Sequence, residues 1–70
     1  MKDLDIPRSV IESVIDEWIL NERDRELLKR RFCDGVRFES LAFEFGLSVR
    51  QVQNIVYRQG EKMMRHLPIP

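Results

Sequence analysis

The stretch FESLAFEFGLSVRQVQNIVY, residues 38–57, limits the possible folds more than any other part of the chain. Phe38, Leu41, Ala42 and Phe45 recur at helical spacing, and the pattern stops at Gly46. Ser48 and Gln51 then have the spacing of a capping box, and open a longer helix whose Val52, Ile55 and Val56 share one side. Two helices joined through so short a turn must cross steeply. The crossing needs a small residue under the second helix, which Ala42 supplies, and a residue free to take positive φ, which Gly46 supplies. It also needs apolar anchors from both helices, and Leu41 stands opposite Leu47, Val52 and Ile55. The spacing therefore predicts a helix-turn-helix.

Two more helices precede it. Val10, Ile11, Val14, Ile15, Trp18 and Ile19 form one wide apolar stripe, so a helix is expected over about 8–20. Pro7 suits its first turn, with Asp5 as a cap or Ser9 and Glu12 as an alternative capping box. Asn21 suits the cap of a second helix over about 22–33. Glu22, Asp24 and Glu26 lie early in it and Lys29, Arg30 and Arg31 late, the order that the helix dipole favours. Leu27, Leu28, Phe32 and Cys33 form its inward side, and Asp34-Gly35 ends it. Helix three is expected over about 38–45, with Arg37 standing where a capping Ser or Thr would be usual. Helix four is expected over about 49–66, stopped by Pro68 and Pro70. Gly60 lies inside it, either to allow close packing or to bend it. The whole is an all-α domain of four helices spanning residues 1–70, small enough that its core must be thin.

Charge is balanced overall but not along the chain. Residues 1–26 hold eight Asp/Glu against four Lys/Arg, and residues 27–70 hold the reverse. An acidic front and a basic back fit a protein that turns one face to a polyanion. With Val52, Ile55 and Val56 inward, periodicity turns Val49, Arg50, Gln51, Gln53, Asn54, Tyr57 and Arg58 outward. From Ser48 to Gly60 there is no acid. This is the chemistry that base edges in a major groove require: Arg pairs with guanine, Gln or Asn with adenine, and a valine methyl can meet a thymine methyl. Val49, Arg50, Gln51, Gln53 and Asn54 are thus the expected base contacts. Arg37, Ser48 with the amides of the helix start, Tyr57, Arg58, Lys29, Arg30 and Arg31 are the expected contacts to phosphate backbone.

The segment NERDRELLKRRFCDG, followed by VRFESLAFEFGLSVRQVQNIVYRQGEKMMRHL, resembles the C-terminal DNA-binding domain, region 4, of bacterial sigma factors. The resemblance covers about residues 21–67, leaving the first helix as an addition. Response-regulator helix-turn-helix domains share much of the pattern. The resemblance implies reading of a promoter element, docking on a flap of RNA polymerase, base contacts by Arg50, Gln51, Gln53 and Asn54, and backbone contacts by Arg37 and Arg58. Phe43 stands where that family usually has an exposed acid, so an exposed aromatic is expected there. The family's DNA-opening domain is missing, which points to a stand-alone regulator or accessory factor of bacterial or phage type.

Other chemistries find no footing. Cys33 is alone, so no internal disulfide forms, and no Cys/His cluster suggests a metal. Asp16 and Glu17 diverge on a helix and make no catalytic pair, and His66 stands far in sequence from Cys33. No enzyme, cofactor or small-molecule substrate is expected. The first residues do not make a signal peptide, no run is apolar enough for a bilayer, and a cytoplasmic protein is expected. Double-stranded DNA is the expected partner. Weak binding by one small domain also leads us to expect a homodimer or a larger complex, with Trp18, Ile19, Leu20, Phe43, Met63 and Met64 as candidate contacts. The competing expectation is a module that grips RNA polymerase or a sigma factor and does not bind DNA, which net neutrality and the acidic first helix favour.

Overall fold

The computed structural model describes residues 6–68, which form four helices and no strand. They are α1 (Arg8–Trp18), α2 (Glu22–Phe32), α3 (Phe38–Phe45) and α4 (Val49–Arg65). None is long and apolar enough to cross a membrane.

Each boundary has a local cause. Pro7 caps α1 without a side-chain bond. The Ser9–Glu12 box does not form: α1 begins at Arg8, which places Ser9 inside its first turn, and the Glu12 carboxylate accepts from Arg8. The Asp5 cap lies outside the described residues. α1 ends at Trp18, two residues before its expected end. Ile19 turns extended there, which drives its side chain fully into the core, and Arg25 Nε donates to its carbonyl at 2.6 Å. Asn21 caps α2 by accepting from the Asp24 amide, as expected. α2 ends at Phe32 rather than Cys33, since the chain turns back through Gly35 at φ +68 and the Val36 amide reaches the Arg30 carbonyl. Gly46 closes α3 at φ +65, and the Leu47 amide reaches back to the Ala42 carbonyl at 2.9 Å. Ser48 and Gln51 make the reciprocal capping box at the start of α4. α4 ends at Arg65, with His66 as its C-cap rather than its last turn.

Two clusters share the core. Leu27, Leu41, Ala42, Val52, Ile55 and Val56 join α2, α3 and α4. Val14, Ile15, Ile19, Leu28 and Met63 join α1 to α2 and to the far half of α4. Phe32 packs against both. Each fully buried Leu or Ile contributes roughly 1.5–3 kcal/mol relative to exposure. Thus α1 is a second support beneath α4. Gly60 does not break α4: a Cβ there would stand 3.2 Å from the Phe32 ring, so the glycine admits that ring against the helix.

Trp18 departs from the buried stripe expected of it. It is 38% exposed and stacks on His66, with ring centroids 3.6 Å apart. The stack clips the end of α1 to the end of α4.

Candidate nucleic-acid interface

α3 and α4 cross as a helix-turn-helix, with Leu41 and Ala42 under Val52, Ile55 and Val56. That packing decides which side of α4 remains open. Arg50, Gln51, Asn54, Tyr57 and Arg58 are exposed, and Val49 is marginally so. Gln53 departs from the expected outward set, for it is half-buried. Gln51 is exposed but its side-chain oxygen already accepts from the Ser48 amide, which leaves its NH2 group to donate outward. The Ser48 hydroxyl is likewise engaged, accepting from the Gln51 amide.

The cations divide into two groups. Lys29 pairs with Asp16 of α1 at 2.8 Å, and that hydrogen bond, together with the carboxylate's charge, holds its ammonium group above the usual lysine range. Arg30 binds Glu44 of α3 and also meets Asp34. The bond to Arg30 keeps the Glu44 carboxyl below its ordinary value and raises the guanidinium. Arg31 donates to the Val36 carbonyl at 3.0 Å and lies over the Phe38 ring, a cation-π contact. The three basic residues of α2 proposed for phosphate are therefore tied into the fold, fastening α2 to α1, to α3 and to the turn between α2 and α3. By contrast, Arg37, Arg50, Arg58 and Lys62 have neither an acidic partner nor a side-chain hydrogen bond among the described residues. Three of these four belong to α4, and Arg37 stands at the start of α3.

A polar cleft of about 230 Å³ lies along the open side of α4, lined by Arg23, Leu47, Gln51, Asn54, Ile55 and Arg58. Arg23 comes from the first turn of α2 and was not among the expected contacts. No periodicity in α4 could reveal it, because it arrives from another helix. Its neighbour Asp24 is a second departure: it suits the helix dipole, yet it is 3% exposed and hydrogen-bonded to Gln59 of α4.

A larger, apolar groove of about 430 Å³ lies elsewhere on the surface, between α2, α3 and α4. Phe32, Phe38, Val56, Tyr57 and Met64 form its walls, and Gly60 opens its floor. Phe43, on α3, is 90% exposed, as its position predicts, and does not line either hollow.

No protein-family model matches the chain, and no curated protein or solved structure matches it either. Among the described residues no group of three or more His, Cys, Asp or Glu could hold a metal ion. Cys33 is half-buried, and burial raises its thiol above the usual range, away from the reactive thiolate.

Proposed function

We propose that this chain binds double-stranded DNA through the open side of α4, as a small transcriptional regulator or accessory factor of the sigma region 4 type, and is not an enzyme. The observation that carries this reading is the acid-free face from Ser48 to Gly60, on which Arg50 and Arg58 stand without acidic partners while Lys29, Arg30 and Arg31 of α2 are engaged within the fold. A face that served only solubility would mix both signs of charge. In the proposed complex, Arg50 and Asn54 read base edges, with Val49 and the Gln51 amide beside them and Gln53 contributing only through its open part. Arg37, Arg58, Tyr57 and Arg23 hold backbone. Lys29, Arg30 and Arg31 act chiefly by holding the helices in place.

Selection from a random duplex library tests it. The wild-type protein enriches a defined sequence, and the Arg50→Ala/Asn54→Ala double variant does not, although it melts at the same temperature. Affinity for any duplex falls steeply with salt, because phosphate contacts release counterions. Failure to bind any duplex at low salt would reject the reading.

One observation favours a second reading, a module that docks on RNA polymerase or a sigma factor. The apolar groove walled by Phe32, Phe38, Tyr57 and Met64 has the size and lining of a site for an inserted apolar segment. A pull-down from extract with and without nuclease separates the two, since protein docking survives loss of nucleic acid.

A further inference from the structure

Asp24 is the one charged side chain buried among the described residues, and direct DNA contact gives it no task. Its two oxygens are divided. Oδ1 accepts from Arg23 Nε at 3.2 Å and Nη2 at 3.0 Å, and Oδ2 accepts from Gln59 Nε2 at 2.9 Å. One carboxylate therefore ties the start of α2 to the middle of α4 and also fixes the direction of a long, flexible side chain. Arg23 so held lines the cleft with Arg58, Gln51 and Asn54. Asp24 takes up Nε and Nη2, and Nη1 keeps its two N–H groups without a partner among the described residues.

We propose that Asp24 is a positioning residue for duplex binding: it holds the Arg23 guanidinium beside Arg58, so that α2 and α4 each give one arginine to the same stretch of phosphate backbone. The proposal rests on the DNA-binding reading above. It makes a claim opposite in sign to simple electrostatics. Removing a carboxylate from a surface that meets DNA should tighten binding if charge alone mattered. If Asp24 works by direction, its loss weakens binding, because an untethered arginine must be ordered anew on each encounter.

The test is fluorescence anisotropy with a labelled, mixed-sequence duplex of about two helical turns, measured across a salt series. The proteins compared are wild type, Arg23→Gln, Asp24→Asn and the double variant, each with its melting temperature. Arg23→Gln should lower the magnitude of the salt slope by about 0.9 and weaken binding on the order of tenfold at about 50 mM salt. Asp24→Asn should weaken binding despite the more favourable charge, and should add no further loss once Arg23 is absent. Arg23→Lys keeps the charge but not the two-point contact with Asp24, and should weaken binding to about the extent of Asp24→Asn while keeping the salt slope. It also carries the test if Asp24→Asn does not fold. The proposal is overturned if Asp24→Asn binds as well as or better than wild type, if its loss is the same with and without Arg23, or if Arg23→Lys matches wild type. A wild-type protein that binds no duplex rejects the DNA-binding reading itself, a different outcome from any of these.

Discussion

Replacing Gly46 with alanine isolates the backbone requirement of the turn. The glycine sits at φ +65 and ψ 36, and no heavy atom lies within 4 Å of the place where a Cβ would stand. An added methyl group therefore meets nothing, and the whole cost is conformational. Holding an L-residue in the left-handed region costs roughly 1–2 kcal/mol. Alanine also restricts the unfolded chain, which returns about 0.4–1 kcal/mol. The net loss is about 1 kcal/mol, which lowers the melting temperature of a domain this small by about 4–8 °C. Thermal unfolding followed by far-ultraviolet circular dichroism measures it. Gly46→Asn should lose less, because asparagine enters the left-handed region more readily. An alanine variant that melts with the wild type would refute the left-handed turn. An asparagine variant as damaged as the alanine one would mean that contact, not conformation, sets the cost.

Other perturbations separate further parts of the account. Gly60→Ala should gain little of the roughly 1 kcal/mol that alanine offers over glycine in a helix, because its methyl group meets the Phe32 ring at 3.2 Å; a denaturant midpoint raised by the full amount would contradict that packing. Glu44 carries a carboxyl held below its ordinary 4.5 by Arg30. Its folded pKa thus lies below its unfolded one, so its contribution is complete above the unfolded value and is lost as pH falls through the folded one. Glu44→Gln should remove that component from melting curves measured across the acid range, and unchanged pH dependence would contradict the pairing. His66→Ala should cost about 0.5–1.5 kcal/mol and shift the emission of Trp18, the only tryptophan, to the red as its stacked face meets water; an unaltered spectrum would contradict the stack.

Local chemistry made much of the fold legible. Asn21 and Ser48 are caps because a short oxygen-bearing side chain can satisfy a free amide at a helix start, and both do so. Gly46 was readable as the turn because only the left-handed conformation permits so abrupt a crossing. Helix ends were less legible where distant groups decide them. Ile19 leaves α1 because the core takes its side chain and Arg25 takes its carbonyl, and no propensity of residues 8–20 contains that fact. The same limit governs the candidate interface. The open side of α4 follows from its own period, but Gln53 lies at the edge of that stripe, where neighbouring helices set burial. Asp24 reads from the sequence as an ordinary first-turn charge of α2 and Arg23 has no expected role, and their meeting with Gln59 and Arg58 is a product of helix packing. Lys29, Arg30 and Arg31 read as a basic patch, yet Asp16, Glu44 and the Val36 carbonyl claim them in space.

An amide and side-chain NMR titration of the intact chain with a mixed-sequence DNA duplex at low salt asks directly whether the exposed side of α4 meets DNA. The largest shifts should fall on Ser48, Arg50, Asn54 and Arg58, with Arg23 and Arg37 following and Leu20 and Phe43 unmoved. Shifts confined to Phe32 and Met64 in the apolar groove, or none at all, would contradict it.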